Sequence, residues 1–322
     1  MREALFIKKN KERWQRIQHG QVADADELAT EFTRLIDDLS YAKTFYPGSR
    51  VTNYVNSLAS RIYLDIYRNR KERSSRLVDF WKYDLPMVIR KHHRVILLST
   101  IIFIVFAAVA FVTASRDEEI LNEILGQDYV DMTRGNIRDG NPFGVYENEN
   151  VFVMWLRIMI NNIGVAVKAF ISGIFFGIPT LYILASNSFM VGAFDQLFYR
   201  EGLGLDFFLV VFIHGTLELT AIILAAGAGL ILGKGFLLPG TLSRLDSVKM
   251  AAKEGAKIII GLFPVFALAA FFEGFITRLY NDVPVLTILV VVASIVFVVW
   301  YFIIYPFRIE KKLADKFWEE RG

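Results

Sequence analysis

Charge-free apolar runs, separated by polar stretches, set the organisation of this chain. From Val95 to Ala114 the sequence reads VILLSTIIFIVFAAVAFVTA without a single charge. Roughly 20 such residues, at about 1.5 Å each, span a hydrocarbon core of about 30 Å. Comparable runs extend from Ile158 to Ala185, Phe207 to Leu232, Ile258 to Thr277 and Val285 to Phe307. In hydrocarbon every backbone N–H and C=O must be paired within the chain, so each run is predicted to be helical. The pattern predicts an all-α, polytopic membrane bundle preceded by a helical domain. Composition agrees: 54% of residues are hydrophobic, above the 45–50% or so usual for soluble domains.

The polar stretches differ in charge. Residues 1–94 carry 19 Lys+Arg against 12 Asp+Glu and repeat apolar positions at helical spacing. Leu28, Phe32, Leu35, Ile36 and Leu39 form one stripe; Val51, Tyr54, Val55, Leu58, Ile62 and Ile66 form a second. Tyr46-Pro47-Gly48-Ser49 predicts a turn between them. Phe80, Trp81 and Tyr83 beside Arg90, Lys91 and Arg94 read as an interfacial helix, with rings and long cations at headgroup depth. Residues 116–157 have the opposite balance, four Arg and nine Asp+Glu, and read as a largely irregular acidic loop.

These features divide the chain into a basic cytoplasmic domain (1–94), a first span (95–115), an acidic extracytoplasmic loop (116–157), a membrane bundle (158–307) and a basic cytoplasmic tail (308–322). The charged start MREALFIKKNKERW does not read as a signal peptide, so the first span is expected to act as an uncleaved anchor. Cations are retained on the cytoplasmic side, which places the N-terminus inside and residues 116–157 outside. A conflict then arises. With 158–185 as one span, the 186–206 connection is internal, and a single crossing by 207–232 puts Lys234, Arg244, Lys249, Lys253 and Lys257 outside. A re-entrant or broken 207–232 segment, interrupted at Gly227-Ala228-Gly229 and Gly233-Lys234-Gly235, removes the conflict. Five plain spans are the alternative.

Ionisable residues inside apolar runs cost about 2.5–3.5 kcal/mol each on insertion scales, so they point to function or to buried pairing. Lys168, His214, Glu218 and Glu273 stand out. His214 and Glu218 are four apart and share a helix face. The four are expected to form an intramembrane polar cluster that holds the bundle in register. A proton or ion path is the competing reading, and snorkelling of Lys168 or Glu273 to an interface is another. His214 and Glu218 supply only two metal ligands, so no metal site is expected. Gly173-xxx-Gly177 is a small-xxx-small pattern for close helix packing, with a kink expected at Pro179. The pattern also makes a homodimer plausible. Cysteine is absent, which excludes thiol chemistry and disulfides. Hydrolase, zincin, P-loop and dinucleotide motifs are missing too. The expected partners of the basic N-terminal region are anionic lipid headgroups rather than nucleic acid.

Asn161-Asn162, AFISGIFFGIPTLYIL, Asn187 and His214-Gly215-Thr216-Leu217-Glu218 together resemble the stage II sporulation protein M family. The likeness continues through AAGAGLILG, Pro239-Gly240 with Arg244, and Phe272-Glu273-Gly274-Phe275-Ile276-Thr277, covering about 150–280. The start FIKKNKERW resembles longer members. Two positions depart from the family pattern: Ile213 where Pro is usual, and Ser188 where Gly is usual. The resemblance implies a non-enzymatic protein of the bacterial cytoplasmic membrane, without cofactors. In spore formers the namesake is a scaffold that holds peptidoglycan-degrading partners at the septum. The expected function is therefore a membrane component or scaffold of a cell-envelope complex. A transporter or channel using the polar cluster is the alternative.

Overall fold

The computed structural model describes residues 3–18, 25–68, 76–140, 150–280 and 283–319. Part of the expected acidic loop (141–149), the end of the basic tail (320–322) and the side chains of Leu28 and Ile66 lie outside what is described. The chain divides into two compact units, Met1–Arg76 and Leu77–Gly322. The interfacial segment that begins at Leu77 therefore belongs with the membrane helices.

The first unit contains α1 (Glu3–Gln18), α2 (Ala25–Phe45) and α3 (Arg50–Arg68). The chain turns at 46–49, with Gly48 in the left-handed region, as the Pro-Gly pair predicted. The stripes close over a core of Phe6, Trp14, Ile17, Leu35, Val55 and Leu58. Trp14 is its largest fully buried side chain, and its Nε1 donates to Asp38 Oδ2 at 2.8 Å. Arg13 pairs with the same carboxylate. Removing a buried aromatic costs about 3–5 kcal/mol, a large share of the roughly 5–15 kcal/mol that stabilises a domain. Trp14→Ala is expected to strip hydrogen-exchange protection from residues 3–68 of the intact chain. Protection of the membrane helices should not change.

The second unit starts with α4 (Arg76–Asp79), a π-helical turn (Phe80–Asp84) and α5 (Leu85–Lys91). It continues with α6 (His93–Arg116), α7 (Glu118–Leu125), α8 (Gln127–Arg138), α9 (Val151–Ile171) and α10 (Ile178–Arg200). It closes with α11 (Gly204–Leu237), α12 (Arg244–Phe271), α13 (Pro284–Val298) and α14 (Tyr305–Glu319). Two stretches of the expected acidic loop are thus helical, with Asp117 capping α7 through its side chain.

Among the described residues five helical stretches are long and apolar enough to cross a membrane: His93–Arg116, Val151–Ile174, Gly204–Leu237, Arg244–Ile276 and Pro284–Asp315. Their outward side chains, such as Leu97, Ile104, Leu289 and Val292, are large and apolar, as a lipid-facing surface requires.

Helix α10 covers the same depth. Its start adjoins Gly233 of α11, and its end reaches α6, where Arg200 donates to the Ser115 carbonyl at 3.1 Å. Between these ends it runs parallel to α6, with Phe189 against Phe106, Gly192 against Ala107 and Tyr199 against Phe111. Among the described residues α10 thus runs the length of the bundle beside these five stretches. The run 158–185 is not one kinked span: the chain reverses at 172–177, where Phe176 (φ 60°) and Gly177 (φ 77°) are left-handed and Pro179 opens α10.

Residues 207–232 are not re-entrant. They lie inside α11, an uninterrupted helix of 34 residues. The 186–206 stretch, expected to be an internal connection, is mostly α10 and ends on the opposite side from residues 234–257.

One end of the bundle is basic. There Lys257 pairs with Asp84 at 3.1 Å, Arg90 with Glu310 at 2.7 Å, and both Lys91 and His92 with Glu254. Tyr301 donates to the Trp81 carbonyl at 2.7 Å, which ties the π-helical turn to the region between α13 and α14. The other end is acidic: Glu118 pairs with Arg134 and with Arg200, and Tyr280 donates to Asp206.

Candidate functional site

Helix α11 crosses the middle of the bundle, and 18 of its residues are buried. It carries His214 and Glu218 on one face, as their spacing predicted. Helix α12 ends in a π-helical turn (Phe272–Ile276) followed by a 3-10 turn (Thr277–Leu279). A π turn adds a residue to the helical repeat and re-aims the side chains that follow, and such turns are frequent at functional sites. Glu273 sits on this turn and faces α11. One ligand atom from each of His214, Glu218 and Glu273 lies within 4.8 Å of the other two.

The surroundings fix these groups. His214 is 8% exposed, and its Nδ1 lies 3.5 Å from the Thr277 hydroxyl. That hydroxyl donates its proton to the Phe272 carbonyl at 3.2 Å. It therefore sits between the imidazole and the α12 backbone and holds the ring in place. Asn162 of α9 is buried and close enough for its side chain to act on Glu218. Asn161 beside it is exposed, and its Nδ2 donates to Asn162 Oδ1 at 3.4 Å. Among the described residues no ion pair involves Glu218 or Glu273.

The three residues line a cavity of about 390 Å³. Its other walls come from α10 (Met190, Val191, Phe194), from α11 (Phe207, Val211, Gly215, Leu219), and from α7 and α8 (Ile124, Leu125, Tyr129). Tyr129 is close enough for the Glu273 charge to act on its hydroxyl. Tyr129 had no signal in the sequence, because a helix inside the acidic stretch was not legible there.

Lys168 does not join the cluster. It is exposed near the basic end of α9, where the snorkelling reading fits it. It cannot offset either carboxylate. The other motif residues have structural places. Gly173 and Gly177 lie in the reversal between α9 and α10, not on one helix face. A Cβ on Gly173 would lie 2.1 Å from the Gly229 carbonyl oxygen, so close packing is real but falls against α11 of the same chain. Asn187 folds back on its own helix, its Nδ2 donating to the Ile183 carbonyl at 2.8 Å. Pro239 and Gly240 (φ 64°) form the α11–α12 turn, and Arg244 opens α12. Gly274 is buried beside Trp155, whose Nε1 donates to the Ala267 carbonyl at 3.0 Å.

Fold and site define a polytopic helical membrane protein with a His–Glu–Glu cluster near its acidic end, its histidine buried and its carboxylates partly so. Residues 99–278 match the family described as stage II sporulation protein M, and the chain belongs to that family. Residues 4–68 match a second family, described as a domain of unknown function, which coincides with α1–α3. The chain is 26% identical over 203 residues to an uncharacterized protein of Methanocaldococcus jannaschii, covering 61% of this chain and 88% of that one. No solved structure matches significantly.

Proposed function

We propose that the chain is a non-enzymatic membrane component that holds together a complex at the cell envelope. The observation that carries this reading is its division of labour. A helical unit with its own core and its own family match stands on one chain with a glycine-packed membrane bundle. Such a unit suits docking, while the bundle suits anchoring. The basic bundle end faces the cytoplasm in this reading, and with α10 as a sixth traversal both termini share that side. Residues 3–68 are then the cytoplasmic docking surface, and Lys82, Arg90 and Arg94 meet anionic headgroups.

Cross-linking in cells tests it. Removing residues 1–76 is expected to leave a folded, inserted bundle that no longer captures the partners of the full chain. Retention of the same partners would overturn the docking role.

A second reading, ion-coupled transport, is favoured by the cluster beside its cavity. It predicts proton- or cation-coupled flux in liposomes that is lost in Glu218→Gln while folding is kept. The scaffold reading predicts no flux across a broad panel of solutes, and only a modest loss of stability in that variant.

A further inference from the structure

We propose that His214, Glu218 and Glu273 bind one divalent transition-metal cation of the class that accepts mixed imidazole and carboxylate ligands, such as Zn²⁺ or Mn²⁺. The sequence offered two ligands from one helix; the fold adds a third from the π-helical turn after α12. Three donors within 4.8 Å of one another meet the minimum for a site with open positions. Donors bound at about 2.0–2.2 Å stand roughly 3.4 Å apart in a tetrahedron, so loading needs a closure of at most about 1.4 Å, within reach of side-chain rotation.

Charge argues for a cation of valence two. A neutral imidazole with two carboxylates carries −2, and a divalent ion makes the site neutral inside a membrane bundle. Left empty and ionised, the two carboxylates would face each other in a low-dielectric setting with no cationic partner among the described residues. The second shell has the form that metal-ligating residues use. Thr277 lies beside the imidazole with its hydroxyl anchored on the Phe272 carbonyl, and the buried Asn162 of α9 stands next to Glu218. The acidic residues of α7 and α8, among them Asp128 and Asp131, raise the local concentration of cations beside the cavity.

The test uses the full chain, purified in detergent, stripped with a chelator and re-equilibrated with Zn²⁺ or Mn²⁺. Elemental analysis is expected to find about one metal per chain. X-ray absorption of the Zn²⁺ form should show a single imidazole with oxygen ligands. His214→Ala and Glu273→Gln should each weaken binding at least tenfold, while Lys168→Gln, away from the site, should not change it. Wild-type protein that is monodisperse yet holds no stoichiometric metal would overturn the proposal and leave a proton-sharing cluster. More than one imidazole on the metal would also overturn it, because among the described residues the cluster holds one histidine, His214. Both of these outcomes are read on the wild type, so a misfolding variant does not blunt them. Partner capture is measured separately, so loss of the metal site would leave the docking role standing.

Discussion

Leucine at Gly229 is expected to abolish recovery of folded, monodisperse protein. Three backbone segments meet there. A Cβ on Gly229 would lie 2.3 Å from the Ala169 carbonyl oxygen of α9 and 2.7 Å from both branches of Thr180 on α10. The Thr180 hydroxyl donates to that same Ala169 carbonyl at 2.7 Å, so the clash also removes the bond that ties the reversal together. Overpacking a core usually costs about 1–3 kcal/mol when side chains can move aside. Here backbone atoms stand in the way, and the whole α9–α10 turn must leave α11, which puts the cost at or above the top of that range. Gly192→Leu should act the same way between α10 and α6, because its Cβ would lie 2.1 Å from the Ala107 carbonyl oxygen. Gly164 is the control. Nothing lies within 4 Å of a Cβ there, and alanine in a helix interior is better than glycine by up to about 1 kcal/mol. Thermal unfolding and size exclusion in detergent read all three. A Gly229→Leu protein that melts like wild type would mean the contact between α9 and α11 is not made.

The same glycines explain where the sequence misled. Gly227, Gly229, Gly233 and Gly235 look like helix breakers when read as in water. In a membrane no solvent competes for the backbone, so the helix persists and each glycine becomes a point of close approach. Gly227 meets Ile96 of α6, Gly233 meets the Gly177 amide and Gly235 meets Ala251 of α12. Helix α10 was hidden for the opposite reason. Asn187, Ser188, Asp195 and Gln196 dilute its apolar run, yet Ser188 and Gln196 are buried inside the bundle. Average hydropathy reports exposure to lipid, and the polar positions of α10 at Ser188 and Gln196 are turned to its neighbours instead. The first and last spans, which turn most of their surface to lipid, were legible from composition alone. So were the turn at 46–49 and the shared face of His214 and Glu218, since both are local. That Glu273 completes the cluster and Lys168 leaves it depends on a π turn and on helix rotation, which no spacing in the sequence encodes.

Six traversals also predict a labelling pattern that no odd-numbered topology gives. The native chain has no cysteine, so each introduced thiol reports alone. Asp139, Glu201, Ser243 and Lys311 are exposed positions at the ends of the bundle. With the basic end inside, Asp139→Cys and Glu201→Cys should react with a membrane-impermeant maleimide in intact cells. Ser243→Cys and Lys311→Cys should react only after permeabilisation. Glu201 is the deciding site, since α10 carries it across the membrane. Were α10 to lie within one leaflet, Glu201 would be protected, and Ser243 and Lys311 would label together with Asp139. The complete inverse of the expected pattern would keep all six traversals but turn the basic end outward, against the retention of cations on the cytoplasmic side. The docking unit would then face outward, and its partners would be sought outside the cell. The expected pattern instead places the His214–Glu218–Glu273 cavity near the outer surface, where a metal ion from the medium meets the acidic end first.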